Sequence, residues 1–269
     1  MPELPEVETT RRGIIPHVIE RTIQDVVIRN PRLRWPVDIK ACLLLKGRMI
    51  KDVRRRGKYL IFDTPGKNFL MHLGMSGSLR IVEPQVKPGK HDHLDIILSD
   101  GNALRFRDPR RFGAFLLMQG ESHSLLDNLG PEPLSADFSA DYLYTVSRNR
   151  KCNVKSLIMN SRIVVGVGNI YACESLYLSS IRPGRAAGRL TGTDCAKLTN
   201  AIKKILKDAI EKGGTSLRDF VREDGSPGYF KQSLKVYGRG GECCYQCRAV
   251  LKESRHSGRS TVYCSICQK

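Results

Sequence analysis

Residues 244–267 read CYQCRAVLKESRHSGRSTVYCSIC, and this stretch decides how the end of the chain folds. It holds two Cys-x2-Cys pairs, Cys244 with Cys247 and Cys264 with Cys267, separated by sixteen residues. Each pair can bind one tetrahedral metal ion through two thiolates, which is the spacing of four-cysteine zinc sites. Disulfides or free thiols are the alternatives, but the spacing and a reducing compartment favour metal. We therefore predict one structural Zn²⁺, because four protein ligands leave no open position for catalysis.

The residues between the two pairs predict a small hairpin with arginine at its tip. Its strands are expected at Arg248–Leu251 and Thr261–Tyr263, joined by the basic and polar connection Glu253–Arg259. Such a tip is suited to contact phosphate groups, and a merely solvated turn is the alternative. Cys243 is an additional thiol next to the first ligand, and we choose Cys244 because it keeps the two-residue spacing.

Further upstream, the N-terminal half of the chain alternates short strands with turns. Tyr59–Phe62 and Asn68–Leu73 flank a Thr-Pro-Gly turn, and Leu94–Ser99 and Ala103–Phe106 flank an Asp-Gly turn. Short strands at this spacing are typical of a β-sandwich or barrel. A helix from Glu3 to about residue 15 is expected before them.

The second half of the chain has helical spacing. It begins after Gly130–Pro133, our candidate linker, and predicts helices over Tyr142–Met159 and Asn169–Leu178. An amphipathic helix follows, with apolar residues from Leu198 to Ile210 on one face. The fold class we expect is therefore α+β, with a strand-rich part followed by a helical part.

The sequence also predicts where the amphipathic helix begins and ends and where a loop follows it. Thr193 or Asp194 is the expected cap of the amphipathic helix, and the glycine pair Gly213-Gly214 is its expected stop. The segment Leu217–Tyr237 has mixed character around an Asp-Gly-Ser-Pro-Gly sequence, which predicts a loop.

The composition indicates a globular protein with a polyanionic partner. Lys and Arg number 45 against 27 Asp and Glu, which gives a formal charge of +18 in 269 residues. Phosphate neutralisation by such cations releases counterions, so nucleic acid is the first partner to consider, with solubility alone as the alternative. No stretch is long and apolar enough to span a bilayer, and the acidic, proline-bearing N-terminus is no signal peptide. We expect a cytoplasmic protein whose scattered cysteines are ordinary buried residues.

Two basic clusters lie next to predicted strands, at Arg54–Lys58 and Arg105–Phe112. Basic residues alone usually form a solvated face. Here Met75 and Phe112 stand at turn-like positions near Arg110, and apolar side chains beside arginine suit insertion into a base stack. Burial of Met75 and Phe112 in the core is the alternative.

The N-terminus holds a candidate nucleophile. Removal of Met1 would free the secondary amine of Pro2, and an α-amino group is far more often neutral at pH 7 than lysine. A helix that begins at Glu3 would lower the pKa of this amine further through its positive end. A secondary amine that attacks a sugar C1′ gives an iminium, and Glu3 lies beside it as a general acid. The alternative is a Met-Pro start without chemistry.

The chain as a whole resembles the bacterial formamidopyrimidine-DNA glycosylases, the Fpg/MutM branch of the Fpg/Nei family. Leu4 distinguishes it from the Nei branch, which typically opens with Pro-Glu-Gly-Pro. One departure is Arg248, which stands where this family usually has glycine. The segments that carry the resemblance are Met1–Thr9, Gly57–Leu60, His72–Gly77, Asp108–Gly113, Val165–Ala172 and the cysteine-rich C-terminus.

The resemblance implies a fold and a division into three parts. It implies an N-terminal β-sandwich domain flanked by helices, over residues 1–131. A helix-two-turn-helix module with a lesion-recognition loop would occupy residues 132–234, and a zinc-ribbon finger residues 235–269. Double-stranded DNA with oxidised bases or abasic sites would be the partner of a monomer.

The resemblance also implies roles for single residues. Pro2 would attack C1′ of an oxidised purine nucleotide, Glu3 would protonate the leaving sugar or base, and β- then δ-elimination would cut the strand. Lys58 matches the residue assigned to β-elimination, and Arg259 matches the finger arginine assigned to δ-elimination. The DNA-contact and gap-filling positions correspond here to His72, Met75, His91, Arg110, Phe112, Lys151 and Asn169.

Two other functions compete with this interpretation. The first is a Nei-like glycosylase that acts on oxidised pyrimidines. The second is a zinc-ribbon module that binds damaged DNA without catalysis. The presence of Pro2, Glu3 and Lys58 argues against a pure binding module, because such a module needs no amine nucleophile.

Overall fold

The computed structural model describes residues 2–214 and 233–269, which fall into two compact units. The first unit holds residues 2–127 and 212–214 of this description, and the second holds residues 128–211 and 233–269. The division into three parts at residues 131 and 234 stays a prediction. In the described part of the chain, no helix is both long and apolar enough to cross a bilayer.

Two four-stranded antiparallel sheets form the first unit, which confirms the predicted sandwich. One sheet has the strand order β1-β6-β7-β5, and the other has the order β2-β3-β4-β8. Both predicted hairpins are present, because β3 pairs with β4 and β6 with β7. The strands are β1 (Ile23–Ile28), β2 (Asp52–Arg56), β3 (Tyr59–Asp63), β4 (Phe69–His72), β5 (Ser78–Val82), β6 (Asp92–Leu98), β7 (Ala103–Arg107) and β8 (Ala114–Leu117).

Helix α1 (Leu4–Val18) packs on the sandwich core through Val7, Ile14 and Val18, all of which are buried. It begins where the sequence predicts but runs past Pro16, three residues beyond the predicted end. Since the side chain of Val18 is fully buried, packing extends the helix past a residue that disfavours it. The short helices α2 (Ile39–Cys42) and α3 (Ser124–Asp127) complete this unit.

The second unit contains α4 (Ala140–Ser147), α5 (Val154–Ile158), α6 (Asn169–Leu178) and α7 (Gly192–Glu211). The single helix predicted over Tyr142–Met159 is wrong, because the chain leaves the helical conformation between α4 and α5. Asn149 has a φ of 58°, and the side chain of Asn153 accepts a hydrogen bond from the N–H of Ser156 (2.8 Å), which caps a new helix.

Helix α7 confirms the predicted amphipathic helix but begins earlier than expected. The cap is Thr191 rather than Thr193 or Asp194, because its hydroxyl accepts from the N–H of Asp194 (3.1 Å). The Asp194 carboxylate accepts in return from the N–H of Thr191 (3.0 Å), which completes a reciprocal cap. The predicted stop is confirmed, since Gly213 and Gly214 follow with φ values of 72° and 80°.

The hairpin near the C-terminus is present with a shorter connection than predicted. Its strands are β9 (Lys252–His256) and β10 (Arg259–Tyr263), so the first strand predicted at Arg248–Leu251 is wrong. The turn consists of Ser257 and Gly258, both with positive φ, which matches the twist of a two-residue hairpin.

Candidate active site and nucleic-acid interface

Pro2 and Glu3 lie immediately before helix α1 and are buried. Glu3 is the N-cap residue, with an extended backbone, and its N–H donates to the Glu6 carboxylate at 2.8 Å. Unpaired N–H groups make a helix N-terminus electropositive, and this favours the neutral form of a nearby amine. The arrangement would keep the amine of Pro2 unprotonated once Met1 has been removed.

Gly214 packs against the start of the same helix. It has a φ of 80°, and a Cβ at this position would lie 3.2 Å from Oε1 and 3.3 Å from Cγ of Glu6. A side chain there would therefore press on the carboxylate that binds the N–H of Glu3. Sequence reasoning treated this glycine only as a helix stop and did not identify Glu6 as a supporting residue.

Lys58 occupies the two-residue turn between β2 and β3 and is partly buried. The first residue of the turn, Gly57, has a φ of 58°, which glycine adopts without strain. Burial lowers the pKa of His72, and the charges of Lys58 and Arg34 lower it further, to about 4. His72 is therefore neutral at pH 7. Its Nδ1 accepts from the N–H of Gly74 (3.0 Å), which leaves Nε2 as a donor.

Met75, Arg110 and Phe112 lie on two turns that contact each other closely. Gly74 permits this contact, because a Cβ there would lie 2.4 Å from the carbonyl carbon of Phe112. Phe112 is 44% exposed, and the guanidinium of Arg110 lies 5.0 Å from the centre of its ring. The exposed ring argues against a core role for Phe112 and leaves it available to enter a base stack.

The carboxylate of Asp108 connects these two turns through hydrogen bonds. Its Oδ1 accepts from the hydroxyl of Ser76 (2.7 Å) and from the N–H of Arg110 (3.2 Å), and its Oδ2 accepts from the N–H of Gly113 (2.8 Å). The residue is fully buried. The N–H of Asp108 donates to the carbonyl of His91 (3.0 Å), so the predicted contact residue His91 lies at the base of the same turn.

In the second unit, two side chains bind the backbone carbonyl of Ser260, the residue after Arg259. Nδ2 of Asn169 donates to the carbonyl of Ser260 (3.1 Å), and Nζ of Lys155 donates to the same oxygen (3.0 Å) and to Oγ1 of Thr261 (2.7 Å). Lys155 is 1% exposed. The exposed Arg259 therefore stands at the start of β10 on an anchored backbone. Lys151 is exposed in the connection between α4 and α5.

The four predicted cysteine ligands come together. Their sulfur atoms all lie within 4.8 Å of one another, with 4.0 Å from Cys244 to Cys267 and 3.4 Å from Cys247 to Cys264. A tetrahedral site with Zn–S bonds of about 2.3 Å separates its sulfurs by about 3.8 Å, so the set fits a metal ion. Cys243 is exposed and stands outside the cluster, as the spacing predicts.

The knuckle around the second ligand adopts the geometry that glycine usually supplies. Arg248 has a φ of 63°, and its N–H donates to the carbonyl of Cys244 (3.0 Å). Left-handed backbone disfavours residues with a Cβ, at a cost of about 1 kcal/mol. Arg248 in place of glycine therefore raises the energy of the turn, but the four sulfur atoms still come together.

The predicted loop Leu217–Tyr237 lies outside the described residues except for its last five. The carboxylate of Glu174 accepts from the N–H groups of Lys235 (2.8 Å), Val236 (2.9 Å) and Tyr237 (2.8 Å). This end of the segment is thus fixed to α6.

Sequence reasoning missed the buried supporting residues Glu6, Asp108, Lys155 and Glu174. Glu6 had the signal of a capping box, three residues after Glu3, and Asp108 begins the Asp-Pro-Arg-Arg turn. The predicted site residues divide between the units. The first unit holds Pro2, Glu3, Lys58, His72, Met75, His91, Arg110 and Phe112, and the second holds Lys151, Asn169, Arg259 and the four cysteines.

The chain is similar to known proteins along its whole length. A family model described as the formamidopyrimidine-DNA glycosylase N-terminal domain matches residues 1–115, and one described as the H2TH domain of that enzyme matches residues 129–221. The formamidopyrimidine-DNA glycosylase of Thioalkalivibrio sulfidiphilus is 55% identical, and that of Teredinibacter turnerae is 56% identical. Both alignments cover 100% of each chain.

Solved structures show the same similarity. The MutM (Fpg) protein of Thermus thermophilus has a TM-score of 0.89 at 37% identity, over 99% of this chain and 98% of that one. The wild-type Lactococcus lactis Fpg in complex with DNA containing N7-benzyl-Fapy-dG has a TM-score of 0.92 at 33% identity, over 100% of both chains. A complex of the Lactococcus lactis Fpg with DNA containing an abasic site has a TM-score of 0.92 at 32% identity, over 99% of both chains.

Proposed function

Because the chain belongs to the formamidopyrimidine-DNA glycosylase family of base excision repair, we propose that it excises oxidised purines and then cleaves the DNA strand as an AP lyase. The substrates would be 8-oxoguanine and ring-opened formamidopyrimidines in double-stranded DNA. The Fpg complexes with Fapy-dG and abasic-site DNA support DNA as the partner. We propose that the protein acts as a monomer in the cytoplasm, where the bacterial chromosome lies.

The proposed chemistry begins at Pro2 after removal of Met1. Its nitrogen forms a bond to C1′ while the bond from C1′ to the base breaks, and the base leaves with that electron pair and a proton. Two protons are needed, one for the base and one for O4′ of the sugar: Glu3 supplies one, and the proton that the Pro2 nitrogen loses supplies the other. Opening of the sugar ring leaves an iminium between Pro2 and C1′.

Strand cleavage would follow from the iminium, which acidifies the proton on C2′. Loss of this proton breaks the bond from C3′ to its phosphate oxygen, with Lys58 as the acid–base residue. A second elimination then breaks the bond from C5′ to its phosphate, assisted by Arg259. The observation that carries the proposal is the placement of Pro2 and Glu3, both buried, at the electropositive start of α1.

The extruded base leaves a gap in the duplex, and Met75, Arg110 and Phe112 would fill it. Taking a base out of the stack costs a few kcal/mol, which the inserted side chains offset. His72, His91, Lys151 and Asn169 would contact the DNA backbone.

We propose Zn²⁺ as the ion of the four-cysteine cluster. When bound, it supplies no reaction chemistry but crosslinks the two knuckles, because four thiolates complete its coordination. Its ligands would be Cys244, Cys247, Cys264 and Cys267. The crosslink between the two knuckles would fix the hairpin that carries Arg259.

The test is borohydride trapping on a duplex with 8-oxoguanine opposite cytosine, followed by peptide mapping of the adduct. We expect a covalent adduct at Pro2, because reduction converts the iminium into a stable amine. Pro2→Gly should slow adduct formation. Glu3→Gln should lower base excision by about 100-fold or more, the usual contribution of a positioned acid. The exposed Glu121→Gln serves as the matched control in the same unit.

Two results would contradict the proposal. Binding of the duplex without an adduct, in protein whose Met1 is shown by mass to be absent, would make it a non-catalytic binder. A preference for oxidised pyrimidines in competition with 8-oxoguanine would instead assign a Nei-like specificity.

A further inference from the structure

A turn between β1 and α2, residues 30–37, reaches the gap-filling surface, and its role is unassigned. The carbonyl of Pro31 accepts from the N–H groups of Leu33 (3.0 Å) and Val37 (2.9 Å). Leu33 and Val37 are 8% and 5% exposed and belong to the sandwich core. The turn is therefore fixed from both ends, and its backbone loses little conformational entropy when its side chains bind a ligand.

Arg34 projects from this turn beside the gap-filling residues. Its N–H donates to the carbonyl of Gly113 (3.1 Å), the residue after Phe112. Its guanidinium lies 4.6 Å from the centre of the Trp35 ring, and stacking of this kind holds the planar donor group in one orientation. Its charge also lowers the pKa of His72, after burial and the charge of Lys58.

The turn forms one wall of an open cavity of about 740 Å³. Arg32 and Arg34 line it together with Met75, Arg110 and Phe112. Neither Arg32 nor Arg34 has a carboxylate partner in the described part of the chain. Neighbouring arginines without acidic partners repel one another, and a bound anion would relieve this repulsion.

We propose that Arg34, with Arg32 beside it, binds a backbone phosphate of the DNA that Met75 and Phe112 enter. The inference rests on the proposed function, because it requires a DNA ligand. A guanidinium matches a phosphate with two parallel hydrogen bonds. Since the backbone of Arg34 is bonded to Gly113, the phosphate contact and the inserted ring of Phe112 share one rigid frame. The turn thereby sets the distance between the DNA backbone and the inserted side chains.

The experiment measures binding of a duplex with a tetrahydrofuran abasic analogue by fluorescence anisotropy over a range of KCl concentrations. Arg34→Gln should raise Kd about tenfold and reduce the slope of log Kd against log salt by about 1, the value for one lost phosphate contact. Arg34→Lys should keep the slope, because it keeps the charge, and should recover only part of the affinity. Lys40→Gln removes one charge from an exposed position of the same unit outside the cavity and should leave both values unchanged.

Three results would overturn the inference alone. The first is a Kd and a salt slope of Arg34→Gln that equal those of the wild type. The second is a loss of slope in Arg34→Lys as large as that in Arg34→Gln. The third is an effect of Lys40→Gln on Kd and slope as large as that of Arg34→Gln. The second would mean that the residue acts through the shape of the turn, and the third that only total charge matters. Failure of the wild-type protein to bind the duplex would refute the proposed function, and the inference with it.

Discussion

Asp108 shows how one buried carboxylate positions three side chains that lie on two neighbouring turns. It accepts hydrogen bonds from Ser76, Arg110 and Gly113, and these bonds fix the turns that carry Met75, Arg110 and Phe112. Hydrogen bonds to a buried charge contribute about 1.5–3 kcal/mol, more than neutral ones. The geometry of the proposed gap-filling surface therefore depends on a buried residue that is not part of that surface.

Asp108→Asn tests this dependence at a single position. The side-chain amide of Asn has an NH2 group where Asp108 has an acceptor oxygen, so one or two of the donors that bind Asp108 lose their acceptor. We therefore expect the free energy of unfolding to fall by about 2 kcal/mol. Gap filling should weaken as well, because the two turns lose their common acceptor. Urea unfolding measures the first effect, and fluorescence of 2-aminopurine beside an abasic analogue measures the second. Asp137→Asn, at an exposed position, is the control; equal stability of the two variants would contradict the role of Asp108.

The sequence predicts the residues proposed for the chemistry better than it predicts the buried residues that support them. Pro2 and Arg259 stand in segments whose order along the chain carries the family resemblance. Asp108 stands in such a segment too, but its burial depends on Ser76 and Gly113, which the fold brings to it. The local sequence does not distinguish Lys155 from a surface lysine, because its burial depends on contact with the distant hairpin.

At the scale of elements, Glu8 ties helix α1 to strand β2. Its carboxylate accepts from Arg11 and Arg12 of the helix and from Arg55 of the strand, at 2.9–3.1 Å. Burial raises the pKa of Glu8, but these hydrogen bonds outweigh it and lower the pKa to about 2. The contact holds the start of the helix, with Pro2 and Glu3, in a fixed relation to the strand that leads to Lys58.

This pKa predicts a pH dependence with a definite sign. A folded pKa of about 2 against an ordinary value of 4.5 means that Glu8 stabilises the protein fully above about pH 5. This stabilisation is lost as the pH falls from 4.5 towards 2. Unfolding of wild type and Glu8→Gln should therefore differ most at pH 7 and converge on acidification, with Glu121→Gln as control. A difference that stays constant down to pH 3 would contradict the assignment.

The hairpin of β9 and β10 depends on the cysteine cluster beneath it. Val262 of β10 and Leu251, the residue before β9, pack with Cys244 and Cys264 in one small apolar cluster. So small a core supplies little stabilisation by burial, and a metal ion bound by the four cysteines would crosslink the segments on either side of the hairpin.

Removal of the metal is therefore expected to abolish strand cleavage by displacing Arg259. Cys244→Ser should lose the bound zinc and lower cleavage by about 100-fold or more. Cys243→Ser, one residue away and outside the cluster, should keep both. Zinc content by mass spectrometry and cleavage by gel assay measure the pair. Full cleavage by protein verified as zinc-free would contradict the structural role of the metal.

Element types follow from the sequence more closely than element ends do. The Asp-Gly and Thr-Pro-Gly turns predict both hairpins of the sandwich, because turn chemistry is local. The break between α4 and α5 escapes prediction, since it depends on a positive φ at Asn149 and a helix cap from Asn153. The strand of the finger is displaced from Arg248–Leu251 because the knuckle uses the first of those residues for its own turn.

At the scale of the whole molecule, the charge of +18 predicts how binding responds to salt. If about five phosphates are neutralised, log Kd for undamaged duplex should change with log salt with a slope of about 4.5, which weakens binding about 500-fold between 50 and 200 mM KCl. The rate of base excision by saturating enzyme in a single turnover should change little, because the reacting groups are buried and only the encounter is screened. Anisotropy titrations and quenched-flow assays measure the two quantities. A Kd independent of salt would mean that the positive charge serves solubility, and an excision rate that falls with the Kd would mean that the same cations act in the chemical step.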